Sequence, residues 1–429
     1  MPEATPSNLS RLLNYRRRFG WRATLTRVLH EWQRPRAPAP SGPRSASALL
    51  AERFAALTPL RFFATPAQGR RRVTLITDSI NCGSLFGGVG TALILATLVA
   101  NRRDADLRVI TRNEPPQPAN LDHLLRVYGL ALQRESQFRF APVTDPGTEL
   151  DLFDDELLLT SSWWTTVATL AAVPPARVAY LLQEDERMFY PRGDDRLRCE
   201  ALLQRTDLRF VVNTELLRSH FVAGGLAHFE SQAISFEPAF PAAVFHPRAR
   251  PPDARRRFVF YARPRNPRNL FHLGLEVIEQ ALLQGVIDPR QWDIVFVGSH
   301  IPELVLAGGV QPQRLENLDW SDYAAIVGGA DLGLSLMDTP HPSYPPLDLV
   351  ASGAVVVSTR HGLKQDLSAW SRNLILRDAE LQPLLDGLRD GVALVNDAAR
   401  RQAHFQATSL SRDWAESLRP VVERLASEP

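Results

Sequence analysis

Residues 73–102 read VTLITDSINCGSLFGGVGTALILATLVANR, and their reading decides the fold. VTLITD is a short, β-rich apolar run of the kind that forms a buried strand. The stretch from residue 89 to 102 has the length and composition of a helix. Between the two stand Gly87, Gly88 and Gly90. Glycine there costs backbone entropy in return for conformations that a Cβ forbids. Either the chain turns tightly at this point or something comes close to its backbone.

Outward from this unit the same alternation repeats. Apolar runs at 107–111, 156–161, 177–183, 208–214 and 232–238 are separated by helical stretches at 119–129, 163–172 and 194–205. Strands with helices between them imply a parallel, doubly wound α/β sheet. A polar, proline-bearing break at 246–257 precedes a second series, with runs at 258–263, 292–299, 332–337, 354–359 and 373–377. The expected organisation is two Rossmann-like domains, 47–240 and 241–405, facing each other across a cleft. A terminal segment, 406–429, reads as a helix crossing back to the first domain. It carries Trp414, Leu418, Val422 and Leu425 on one face and is interrupted at Pro420. Residues 1–46 form a basic helical arm at 8–32 and a Pro-rich linker. Such an arm suits the surface of an anionic membrane, or equally a solvated helix or a docking arm.

The bulk numbers agree with two globular domains in 429 residues. A net charge of +2 argues against nucleic acid as a partner. Cys82 and Cys199 form no C-x-x-C, so neither a disulfide framework nor a zinc site is expected, and a reducing cytosol fits. No run is long enough to span a membrane, and no signal-peptide core precedes the first domain, so a cytoplasmic protein is expected. Of 49 lysines and arginines only Lys364 is a lysine, which reads as compositional bias.

Ligands of such sheets bind outside the carboxyl ends of the strands. The loop of Gly87 and Gly88 follows the first strand and would suit an anion at the next helix start. It is not G-x-G-x-x-G, and no acidic residue ends the run at 107–111, which speaks against a dinucleotide-dependent oxidoreductase. In the second domain YARPRNPRN puts Arg263 at a strand end and Arg268 five residues on. Two guanidinium forks there would clamp a diphosphate and stabilise charge on a leaving phosphate. The stretch HPSYPPLDLVASGAVVVST at 341–359 places Pro346 in a first helical turn, with Ser343 and Tyr344 just before it. Free amides of Ser343 or Tyr344 would face the cleft, and Asp348, one turn in, would accept ribose hydroxyls. These features describe a nucleotide-diphosphate site. No metal cluster is expected; the one D-x-D, Asp104-Ala105-Asp106, lies among arginines before a strand's amino end.

Taken together, Y-A-R-P-x-x-x-R-N, H-P-S-Y-P-P-L-[DE] and the following VVV strand resemble the GT-B glycosyltransferases of family 4. The resemblance is to the bacterial rhamnosyltransferase subgroup typified by WsaF. LFGGVGTAL, SSWWTT (161–166) and QEDERMFYP (183–191) extend it over roughly residues 70–400. It implies a nucleotide sugar as substrate, dTDP-L-rhamnose, no further cofactor, and a glycan or lipid-linked glycan acceptor in surface polysaccharide synthesis. It implies transfer with retention and without a metal. Glu184 falls on the subgroup's acidic residue near the reacting sugar, where it would orient or deprotonate the acceptor or steady the sugar. The residue-level alternative is an N-cap or an ion pair with Arg187. Arg263 falls beside the diphosphate and Asp348 on the nucleoside sugar. Trp163 and Trp164 would give the acceptor sugar a stacking platform, unless one of them is core. The subgroup has aspartate at 184, glutamate at 348 and lysine at 317, where this chain has Asn317; Arg268 or Lys364 would replace that charge. A sugar-nucleotide epimerase on a similar frame and a catalytically silent nucleotide-sugar-binding subunit are the alternatives, the second favoured by Asn317.

Overall fold

A computed structural model describes residues 43–67, 69–81, 85–251, 253–316 and 318–427. The arm at 8–32 and Asn317 lie outside these residues. The chain divides into two compact units, Met1–Phe54 and Ala55–Pro429. In the first, helix α1 (Ala46–Arg53) starts where the Ser45 hydroxyl accepts the Ala48 amide. None of its residues is buried. The second unit holds everything below.

Each apolar run of the sequence forms a strand, joined by shorter strands without a strong apolar signature. In chain order the first lobe has β1 (Arg61–Ala64), β2 (Arg72–Thr77), β3 (Asp106–Thr111), β4 (Ser136–Phe140), β5 (Glu149–Leu152), β6 (Leu157–Thr160), β7 (Val178–Leu182), β8 (Arg209–Asn213) and β9 (Ile234–Phe236). The second has β10 (Arg256–Ala262), β11 (Trp292–Gly298), β12 (Gln313–Glu316), β13 (Leu332–Leu334), β14 (Val355–Thr359) and β15 (Leu374–Arg377). The first sheet runs β4-β3-β2-β6-β7-β8-β9, the second β12-β11-β10-β13-β14-β15. All pairings are parallel, as in Leu75 opposite Val109 on one side and Leu159 on the other. β2, β3 and β7 are buried at every position, because helices cover both faces of the sheet. The strand order reverses between β2 and β6 and again between β10 and β13. Those reversals open the crevices in which such sheets take ligands.

The helices that matter for the site are α2 (Gly90–Arg102), α3 (Trp163–Leu170), α4 (Phe271–Leu283), α5 (Trp320–Gly328), α6 (Tyr344–Ala351), α7 (Leu381–Asn396) and α8 (Trp414–Ser427). α4 and α7 pack Val277, Ile278, Leu384 and Leu388 under the second sheet. A continuous apolar core joins the lobes from Val73 and Leu93 through Val350 to Trp414 and Leu418. α8 packs against α2 and β9, and Arg103 donates to the Leu425 carbonyl at 3.2 Å. Pro420 does not interrupt it: the helix runs through. Proline removes one bond, to the Glu416 carbonyl, but burial of Trp414, Leu418, Val421 and Leu425 outweighs that loss. Arg412 ties the returning chain to both lobes, donating to Phe240 and Phe245 carbonyls at 3.0 Å and to Ala351 at 3.1 Å.

At the amino ends of β2 and β6, away from the cleft, Arg72 and Arg108 both bond Glu156 at 2.6 Å. Asp151 takes their other amines, which balances the buried charges. The D-x-D carboxylates lie at the same end, Asp104 paired with Arg134 and Asp106 with Arg70.

Candidate active site

The carboxyl ends of both sheets border one cleft of about 640 Å³. From the first lobe come Asp78 after β2, Gly87 and Gly88 in the turn before α2, Trp164 in α3, and Gln183, Glu184 and Glu186 after β7. The second lobe adds Arg263 and Arg268 after β10, His341, Ser343 and Tyr344 after β13, and Asp348 in α6.

The glycine turn serves both purposes the sequence left open. Gly87 sits at φ +75°, which favours glycine, and a Cβ on it would meet the Tyr344 ring at 3.4 Å. A Cβ on Gly88 would lie 3.1 Å from the Gln183 amide, which donates to the Gly88 carbonyl at 2.7 Å. What approaches the backbone is therefore the protein itself. Tyr344 reaches across the cleft, its hydroxyl bonding Thr91 at 2.5 Å and accepting from Asn213 at 2.8 Å.

The paired tryptophans separate. The Ser162 hydroxyl caps α3, and the helix turns Trp163 into the core at 2% exposure. Its backbone amide donates to Glu186 at 2.8 Å and its indole to Tyr190 at 3.1 Å. Trp163 is thus not an acceptor platform. Its whole face is used in packing against β7 and Tyr190. Trp164 does line the cleft, its indole held by Asp78 at 2.8 Å. Half-buried Asp78 and buried Glu186 are carboxyls on this wall, and desolvation raises both, Glu186 to about 8.

Glu184 stands where the lobes meet. It does not pair with Arg187, whose guanidinium goes to Asp185 at 2.7 Å. His220 is the second partner of Asp185, and the His220 and Arg187 side chains hold that carboxyl down at about 2 against the cost of burial. Glu184 instead accepts from the Thr339 hydroxyl and lies 3.3 Å from the Arg268 guanidinium, both of the second lobe. Burial raises its pKa, while Arg268, Thr339 and Lys364 oppose the rise. Arg268 also covers the Phe189 ring at 4.5 Å. Its expected place on a diphosphate is therefore taken, in this state, by a carboxylate. Arg263, exposed at the end of β10, has no carboxylate partner among the described residues.

The start of α6 offers fewer donors than expected. The Ser343 amide is not free, because it donates to His341 Nδ1 at 2.9 Å. Pro345 and Pro346 have no N–H, so of these positions only Tyr344 has an amide left to offer. In place of amides the loop presents side chains. Ser343, at φ +71°, has a buried hydroxyl, and His341 a buried Nε2, each without a partner among the described residues. His341 accepts at Nδ1, so its proton sits on Nε2, and burial with nearby Lys364 and Arg268 lowers its pKa to about 3. Asp348 is 6% exposed and accepts from the Tyr323 hydroxyl at 2.8 Å. Burial pushes it up to about 8, so near neutral pH it is chiefly a neutral acid rather than the free carboxylate expected.

Thr339 and His341 were not singled out in the sequence. Both belong to the T-P-H-P-S-Y-P-P run, and two prolines flanking a histidine were the available signal. Among the described residues no group of three or more His, Cys, Asp or Glu side chains is placed to hold a metal. No helix among them is long and apolar enough to cross a membrane.

Family models of the WsaF N-terminal domain and the WsaF C-terminal domain match residues 72–207 and 256–389, together more than half of the chain. The O-antigen biosynthesis protein RfbC of Myxococcus xanthus is 33% identical over 217 residues. That match covers 50% of this chain but only 16% of RfbC, so the chain spans a small part of that relative's length. Among solved structures, Anabaena Alr3699/HepE in complex with UDP-glucose superposes with a TM-score of 0.58 at 14% identity, over 83% of this chain and 99% of that one. Sucrose-phosphate synthase from Thermosynechococcus elongatus gives 0.53 at 13% identity, over 83% and 98%. These likenesses show the fold, which is GT-B.

Proposed function

The chain belongs to the WsaF family of GT-B glycosyltransferases, and on that premise we propose that it transfers L-rhamnose from dTDP-L-rhamnose to a glycan acceptor. The acceptor is a lipid-linked or free glycan of bacterial surface polysaccharide synthesis, met at the cytoplasmic side. The observation that carries the reading is the meeting of Glu184 with Thr339 and Arg268 at the cleft, beside Arg263, which has no carboxylate partner among the described residues.

In this reading the C1–O bond to the diphosphate breaks and its electron pair goes to the leaving oxygen. Arg263 and the Ser343–Tyr344 loop stabilise that charge without a metal. Arg268 turns from Glu184 to the diphosphate when the donor enters. The acceptor oxygen bonds C1 on the same face, and its proton passes to the departing phosphate oxygen, which gives retention. Glu184 holds the acceptor or the sugar ring as positive charge builds at C1. Neutral Asp348 and its Tyr323 partner meet the ribose hydroxyls.

A thermal-shift screen of nucleoside diphosphates and nucleotide sugars tests the site without knowledge of the acceptor. A ligand at a hundred times its Kd stabilises by about 2.7 kcal/mol. dTDP and dTDP-L-rhamnose should raise the melting temperature, and Arg263→Ala should reduce that rise. No shift with any nucleotide would overturn the proposal. A second reading, binding without transfer, is favoured by Asn317 at the position of the family lysine. Saturable binding with no diphosphate released on any acceptor would select it.

A further inference from the structure

The only lysine among the chain's 49 basic residues is buried, 1% exposed, directly behind the cleft. Lys364 follows β14 in a tight turn closed by its own amide on the His361 carbonyl at 2.7 Å. Its Nζ donates to the Met337 carbonyl at 3.2 Å and lies 3.4 Å from that of His341. These carbonyls begin and end the segment 337–341, whose middle residue, Thr339, carries the hydroxyl bonded to Glu184. An ammonium is compact, and its three donors rotate freely. A planar guanidinium needs more room and a different fan of acceptors.

Resting on the reading of Glu184 given above, we propose that Lys364 is the positioning cation of this centre: it staples segment 337–341 beneath Glu184 and, as a fixed positive charge, favours the charged form of that carboxylate. Lys364 does not line the cleft, so its action on substrate passes through Glu184 and Thr339. The surrounding charges make the role specific. Arg268 faces Glu184 from the β10 side, and Asp185 lies next to it in sequence, held by Arg187 and His220. Asp338 is engaged by His361 at 2.7 Å. His341 is neutral, with a pKa lowered to about 3. Burial raises the pKa of Glu184, and Arg268, Thr339 and Lys364 oppose the rise. When Arg268 turns to a phosphate, Lys364 is the cation that stays. In reverse, Glu184 and Asp338 hold up the lysine, which burial lowers to about 8.

The single lysine makes a direct test available. Protein grown with ¹⁵N-lysine carries one side-chain signal, so Nζ needs no assignment. Its titration should lie well below the ordinary lysine value of about 10.4. In Glu184→Gln it should fall further, because a neighbouring negative charge is gone. A signal titrating as an ordinary lysine, or identically in both proteins, would overturn the proposal. In turnover, Lys364→Met should move the acid limb of the pH profile up by about one unit while nucleotide affinity stays within a few-fold. Lys364→Arg should not restore the limb. An acid limb that stays in place in Lys364→Met would also overturn it. If the wild type transfers from no nucleotide sugar, the reading of function fails, and the ¹⁵N titration still decides the Lys364–Glu184 coupling.

Discussion

At the scale of single residues, neighbours in the sequence take opposite duties. Trp163 and Trp164 are chemically identical, yet about 100° apart around a helix, so only one of them can face the core. Trp163→Ala should cost about 3–5 kcal/mol of stability, as truncation of a packed aromatic does. Trp164→Ala should leave the melting temperature closer to wild type and weaken use of the acceptor. Equal destabilisation by both, in denaturant titrations, would contradict the assignment. Arg263→Ala should show the inverse of Trp163→Ala: unchanged stability and a turnover lower by about 10²–10³. Arg263 was visible in the sequence because strand ends point at the cleft, and Glu184 through the family resemblance. The sequence did not show that Glu184 would find Thr339 and Arg268. That pairing depends on how the lobes approach, and no local pattern records it.

The element that bears most of the site is the run from β13 through α6. Its prolines were legible as a stiff entry to a short helix. Their consequence was not: two positions without N–H leave the helix start poor in amides, and His341 takes the Ser343 amide as well. Asp348 shows the same limit. Spacing put it on the cleft side of α6, but its protonation depends on Tyr323 of α5 and on burial. A folded-state pKa raised from 3.8 to about 8 means that the native protein holds a proton the unfolded chain has released. The associated stability is complete below about pH 4 and is lost as pH rises toward about 8. Asp348→Asn, which still accepts from Tyr323, should remove that slope. Melting temperatures measured from pH 4 to 8 should therefore fall less in the variant than in the wild type. Parallel curves would mean that Asp348 is ionised in the fold.

For the whole molecule, the alternation of apolar runs with helices was enough to give two doubly wound sheets, because parallel strands covered on both sides leave continuous apolar runs. The edge strand β4, the small β1–β5 pair and β12 escaped notice. They are partly exposed and mix polar with apolar residues, so their sequence is not distinctive. The course of α8 through Pro420 was also hidden, since tertiary burial overrode a local preference. Function at this scale carries two expectations. Chelation with EDTA should leave transfer intact, because in the proposed reaction arginines and the α6 entry serve the leaving group; loss restored by Mg²⁺ would contradict that. Removal of residues 1–46 should release the protein from anionic liposomes, and added salt should do the same to the full chain. Equal recovery with and without the arm would assign it no membrane role.

In the proposed reaction the two lobes bring Glu184 to the reacting sugar. The most direct measurement is the rate of dTDP release from dTDP-L-rhamnose with a glycan acceptor present, in wild type and in Glu184→Gln, beside the donor Kd of each. The substitution keeps the shape of the side chain and removes its charge. Donor affinity should stay within a few-fold while turnover falls by on the order of 10² or more, as for an interaction made chiefly in the transition state. Wild-type turnover in Glu184→Gln would make the carboxylate a structural tie between the lobes and place the chemistry elsewhere.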